Sequence, residues 1–117
     1  MDNQHRKVAG YRELCQEEID LMNRIKAKGA ELLQLQSELV GRLGTDLEAK
    51  QSAARLSVEA KEHSGTLCNE YTGASDECHE FRRFQAAEPL RWAAIGKTDI
   101  QTALMALVRA VAQPAGV

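Results

Sequence analysis

Residues 96–98, Gly-Lys-Thr, have the form in which a phosphate-binding loop ends. Such a loop needs a glycine five positions earlier, where this chain has Arg91, and a β-strand leading into it, which the pattern does not offer. Nucleotide hydrolysis of that kind is excluded. Cys15, Cys68 and Cys78 are odd in number and lack Cys-x-x-Cys spacing, so neither a disulfide framework nor a zinc site is predicted. Cys68, Cys78 and His79 are close enough in sequence to share a loop, but free thiols in a reducing compartment are the simpler expectation. His5, His63 and His79 stand in polar segments, with no Ser/His/Asp set or paired carboxylates around them, and read as solvated side chains. The chain is not predicted to be an enzyme, and no cofactor or metal is expected.

The elements that would carry any binding chemistry follow from composition and period. In 117 residues there are one Trp, two Tyr and two Phe, while Leu and Ala dominate an apolar fraction of 44% and only two prolines occur. Long helices suit that composition better than a sheet. Met22, Ile25, Gly29, Leu32, Gln36, Leu39 and Leu43 advance by alternating steps of three and four, which draws one seam along a helix, with Leu14, Leu21 and Leu35 as a flanking stripe. Gly44 reads as a stop. The sequence Thr-Asp-Leu-Glu (45–48) has capping-box form and predicts a new helix over about 46–63, with Ala49, Ala53, Leu56 and Ala60 as its apolar stripe.

After a loop from Thr66 to Ala74, Ser75 is placed to cap a short helix with acids in its first turn. Pro89 sits at the permitted first position of a last long helix and Pro114 lies past its end. Ala93, Gly96, Ile100, Ala103, Leu107 and Val111 form its seam, with Leu104 and Val108 beside it. The prediction is an all-α chain: one helical domain over 1–117, in which 8–43 and 89–114 form an antiparallel hairpin and 44–88 an insert in the connection. Two such helices carry more apolar surface than they can bury on each other, so assembly into an oligomer is expected.

Charge limits the partners. The net charge is −2; residues 1–28 and 89–117 are mildly basic (six cations to five anions and three to one), while 29–63 and 64–88 are acidic (four to six and two to five). Any anion should be held by the ends, and the surplus is too small for a nucleic-acid polymer. The amino-terminal decapeptide is polar where a secretory signal needs an apolar run, and no uninterrupted run of 18 apolar residues occurs, which predicts a soluble chain that acts without a membrane.

The segments GYRELCQEEIDLMNRIK (10–26) and RWAAIGKTDIQTALMALVRAVAQP (91–114) together resemble the phage anti-CBASS cyclic-oligonucleotide sponge family, whose helical hairpin domain is shared with a Thoeris anti-defence family. The resemblance covers about residues 8–40 and 90–114. It implies a non-enzymatic protein that sequesters cyclic dinucleotides such as cGAMP, and in some members cyclic trinucleotides at separate sites. Host defence effectors then stay switched off, and the protein works in the cytoplasm of the bacterial host.

A trap for a cyclic dinucleotide needs a flat π surface for a base, a cation for a phosphate and walls that exclude water. By the resemblance, Tyr11 supplies the ring, Lys26 the cation, Gly10 a close backbone approach and Arg109 a further phosphate contact; Lys97 and Thr98 match the trinucleotide segment. Read without it, Lys26 is a solvated charge beside Arg24 and Lys28, and Tyr11 an aromatic at a helix entry. Fifteen residues of helix between Tyr11 and Lys26 would separate them by about 22 Å, so the expected pocket is shared between subunits, as in the hexamers of the family. The acidic segment 44–88 has no counterpart in the resemblance and is expected to lie away from the pockets. A small helical oligomeric adaptor of phage or prophage is the alternative.

Overall fold

The computed structural model describes residues 12–59 and 68–114. Gly10 and Tyr11 lie outside the described residues. Within them the chain is helical: α1 spans Gln16–Glu59, α2 Asp76–Ala87 and α3 Pro89–Ala112, and no strand occurs among the described residues. None of the helices is long and apolar enough to cross a membrane. The chain packs as two compact units, one drawn from Met1–Leu35 and Gly96–Val117, the other from Gln36–Ile95.

In the first unit α1 and α3 run antiparallel. Arg12 reaches Val111, and further along both helices Gly29 lies under Leu104. A Cβ on Gly29 would stand 2.4 Å from both δ carbons of Leu104, so any larger residue would have to displace that side chain. Met22 and Ile25 of the predicted seam are half-buried, and so are Ile100, Leu104, Val108 and Val111 on α3. Leu21, Leu32, Leu35 and Leu107 remain exposed. The hairpin therefore leaves much of its leucine surface uncovered.

The second unit is organised around α2. Ser75 caps it as expected, accepting the Cys78 backbone N–H at 3.1 Å, while Ser57 of α1 meets the same Ser75 hydroxyl at 2.7 Å. Ala54, Val58, Cys78 and Phe81 form the core, with Leu47 and Cys68 packed against it. Tyr71 meets Phe81 edge to face at 5.6 Å. The loop beneath is held by Arg82, which donates to Glu70 O at 3.0 Å and Gly73 O at 2.8 Å, and by an ion pair from Arg55 to the buried Glu70. Lys50 of α1 pairs with Glu80 at 2.8 Å and lies over Phe84. Hydrogen bonds from Arg83 first, and Lys50 second, hold the Glu80 carboxyl down at about 2. Gln36 donates its side-chain N–H to Ala93 O at 2.9 Å, which fastens α1 to α3 within this unit.

Three sequence expectations are corrected. Gly44 does not stop a helix: α1 continues to Glu59, and Thr45, expected to cap a new helix over 46–63, instead donates its hydroxyl back to Gly41 O at 3.1 Å inside the old one. A glycine in a helix interior costs only about 1 kcal/mol, and the burial of Leu47, Ala54 and Val58 further along outweighs it. The buried stripe of that segment is Ala54 and Val58; Ala49, Ala53 and Leu56 face solvent, and Ala60 lies outside the described residues. Finally, α1 begins at Gln16, and residues 12–15, expected within a helix over 8–43, precede it without helical form; residues 8–11 lie outside the described residues.

Gly29→Ala should lower the unfolding free energy by about 1–3 kcal/mol, the usual cost of forcing a methyl into an occupied space. Gly41→Ala, where a Cβ meets nothing within 4 Å, should raise it by up to about 1 kcal/mol. Urea unfolding followed by circular dichroism measures both, and a Gly29→Ala chain as stable as its parent would show that the close approach is not needed.

Candidate ligand-binding site

Lys26 leaves α1 one turn before Gly29, and Arg109 leaves the last turn of α3. The two side chains line one groove of about 440 Å³, whose remaining walls come from Leu104, Met105, Val108, Ala112 and Pro114. Both cations are exposed and lie in the first unit. Because Leu104 is seated over Gly29 and also forms part of this groove, the register set by that contact is what brings Lys26 and Arg109 to one surface. Among the described residues the groove has two cations and no carboxylate, hydroxyl, imidazole or thiol side chain. An anion with apolar flanks is what such a surface can hold.

The other candidates are placed as follows. Lys97 and Thr98 are exposed on α3, twelve residues before Arg109 and therefore about 18 Å away along the helix, outside the Lys26 groove. With α1 starting at Gln16, helical rise can be counted toward Lys26 only from that residue, about 15 Å, so the 22 Å separation from Tyr11 no longer stands as an argument for a shared pocket. His5 and His63 lie outside the described residues; His79 is exposed, its Nδ1 3.2 Å from Arg82. The three cysteines are free, Cys78 buried in the core, Cys68 half-buried against it and Cys15 exposed.

Sequence reasoning missed Arg12 and Glu18. Arg12 pairs with the Glu18 carboxylate and donates to Val111 O at 2.7 Å, one of the carbonyls that the end of α3 leaves without a helical partner. Glu18 also accepts the Cys15 backbone N–H at 3.1 Å, three residues back, which is the return half of a capping box. The hydrogen bond from Arg12, followed by that from Cys15, holds the Glu18 carboxyl down at about 2, and the Arg12 guanidinium is raised above its ordinary value by the same bond. The Glu18 spacing after Cys15 was the available signal; the reach of Arg12 to Val111, across 99 positions, had none.

Residues 3–112 match the family model described as Acb2/Tad1, hairpin domain. The chain belongs to the Acb2/Tad1 hairpin-domain family. It is 67% identical over 116 residues to Anti-CBASS protein 2 of Pseudomonas phage JBD67, a match that spans 99% of each chain. In this family member, α1, α2 and α3 all fall inside the matched span, as do Lys26, Lys97, Thr98 and Arg109. Residues 44–88 fall inside it too, and the phage relative is aligned across them.

The Glu18 carboxyl titrates near 4.5 when free and near 2 here. A depressed acid favours the folded chain fully above its free value, and that contribution is lost as pH falls toward the folded one. Glu18→Gln should therefore be less stable than the parent at pH 7, and the gap should close between pH 4.5 and 2. Urea midpoints of both chains across that range check this; a gap constant with pH would mean that the ion pair does not form.

Proposed function

We propose that the chain is an anti-CBASS sponge: it binds cyclic dinucleotides such as cGAMP without changing them, and so keeps the messenger from the effectors of a bacterial host's antiphage defence. The observation that carries this reading is the convergence of Lys26 and Arg109 on one groove. A cyclic dinucleotide presents two phosphate charges between two bases, and a groove with two cations and apolar walls complements that arrangement. Its volume, about 440 Å³, is in the range of small-molecule sites. The 67% identity to a phage protein named for anti-CBASS action supports the same reading.

In the full proposal Tyr11 stacks on a base, Gly10 lets the backbone come close, and Lys26 and Arg109 meet the phosphates. The chain acts as a homo-oligomer, a hexamer, in the cytoplasm of the host, with Tyr11 from one copy beside Lys26 of another. The exposed leucines of the hairpin supply apolar surface for such an assembly. Cyclic trinucleotides bind a second surface at Lys97 and Thr98. The groove carries no carboxylate, hydroxyl, imidazole or thiol side chain among its described residues, and in this reading bound ligand is released intact.

A second reading, a small helical adaptor, is favoured by a larger groove of about 570 Å³ in the same unit, walled by Leu21, Ile25, Leu32, Ile100 and Leu107. A thermal melt separates the two. Ligand at 100 times its dissociation constant should stabilise a sponge by about 2.7 kcal/mol, whereas no shift with any cyclic di- or trinucleotide would leave the adaptor.

Calorimetry with cGAMP tests the residues. Tyr11→Ala should remove a base stack worth about 1–3 kcal/mol, roughly 5- to 150-fold in affinity, and Lys26→Ala a charge-assisted contact of similar size. Arg109→Ala should weaken binding in the same direction. Lys97→Ala should spare cGAMP and weaken cyclic trinucleotides. Undiminished binding by the Tyr11→Ala, Lys26→Ala double variant would put the pocket elsewhere, and recovery of linear nucleotides from the complex would mean that the protein is an enzyme.

A further inference from the structure

The apolar walls of the Lys26 groove are not equal. Leu104, Val108, Ala112 and Pro114 are half-buried, and Leu104 is already committed to the contact with Gly29. Met105 is 67% exposed, more than any other large apolar side chain among the described residues. We propose that Met105 is the base-contacting residue of this groove: its thioether arm covers the face of a ligand nucleobase, and the contact favours two-ring over one-ring bases. The proposal rests on the reading that the groove takes a cyclic dinucleotide, and it needs no residue outside the groove.

Three observations carry it. Met105 and Arg109 stand four residues apart on α3, so their side chains leave one face of the helix about 6 Å apart along its axis. Lys26 reaches the same groove from α1, which leaves Met105 as an apolar surface beside two cations of one chain. Second, the groove holds about 440 Å³. A nucleotide whose phosphate meets either cation therefore keeps its base near these same walls. Third, the chemistry divides the ligand between them: the cations answer the phosphates, whereas a thioether donates no hydrogen bond and is a weak acceptor. What it offers is a flexible, polarisable arm that makes favourable sulfur contacts with flat rings.

An exposed methionine gains when a ligand covers it, and the gain grows with the apolar area covered. A purine spreads two rings over the arm and a pyrimidine one. The phosphates are the same in both cases, so Lys26 and Arg109 cannot tell such ligands apart by charge. Within this groove the discrimination falls to Met105.

Calorimetry on the full chain tests this with two probes: cGAMP, whose bases both have two rings, and cyclic di-UMP, whose bases have one. Met105→Ala should weaken cGAMP binding about 5- to 30-fold and cyclic di-UMP binding less than about threefold. Met105→Leu keeps the apolar cover and should stay within about threefold of the parent on both. Lys26→Ala should weaken both probes by the same factor. Met, Leu and Ala are all good helix formers, so these variants should keep the helix, and light scattering checks that the particle keeps its size. Should the parent hold cyclic di-UMP too weakly to measure, Met105→Gln decides: of similar length but polar, it should fall with Met105→Ala on cGAMP, and binding like the parent's would overturn the proposal. Equal losses of Met105→Ala on the two probes would mark it as a general support or a contact between copies and overturn the proposal, as would no loss on cGAMP. Weakened binding by Lys26→Ala beside an indifferent Met105→Ala sinks this proposal alone. A parent chain that binds neither probe sinks the site reading and the proposal with it.

Discussion

The close approach of α1 to α3 at Gly29 is the constraint on which the candidate site depends. Leu104 occupies the volume that any side chain at position 29 would need, so the two helices meet in one register in this unit. Sliding either helix by a turn would put a Cβ under Leu104. That register also decides which polar residues become neighbours: Lys26, one turn before the glycine, comes to share a groove with Arg109, five residues after the leucine. A packing contact with no polar atom thus sets the electrostatics of the surface.

Polar ties then reinforce the hairpin where apolar area is thin. Leu32, Leu35 and Leu107 stay exposed, so the first unit cannot rest on burial alone. Arg12 binds a carbonyl at the end of α3, where the helix leaves acceptors unmatched and where the macrodipole favours a cation. In the other unit Gln36 does similar work, giving its side-chain N–H to Ala93 O at a position where a leucine would have continued the seam. Both ties are directional, which apolar contacts are not, and each names a particular carbonyl on the facing helix.

The unit built on residues 36–95 is differently made. Its core is small, Ala54, Val58, Cys78 and Phe81, and the loop that covers it is held by side chains serving as backbone partners. Arg82 satisfies two carbonyls, and Asn69 accepts the Tyr71 N–H at 2.9 Å. Buried backbone needs such partners wherever helix does not supply them. Glu88, in left-handed backbone at φ 49°, ends α2 just before Pro89 starts α3, so two helices are joined through a single residue.

The sequence by itself determined the all-α class, the two hairpin helices and their antiparallel sense, the Ser75 cap and the proline that opens α3. Each of these rests on local chemistry or on a period that repeats along one element. Residues 10–26 and 91–114 also carried the family resemblance, and with it every site residue named at the outset. What only the tertiary structure decided is where distant positions meet. Gly44 and Thr45 read locally as an end and a beginning, yet α1 continues through them because packing with Leu47, Ala54 and Val58 outweighs two weak local preferences. The stripe of Ala49, Ala53 and Leu56 fitted helical spacing as well as Ala54 and Val58 did, and only the position of α2 chose between them. The sharing of one groove by Lys26 and Arg109, and the meeting of Arg12 with Val111, follow from the register at Gly29 and from long side chains on facing helices. No local pattern encodes such contacts, because a period fixes which face a residue occupies but not what the rest of the chain brings to that face.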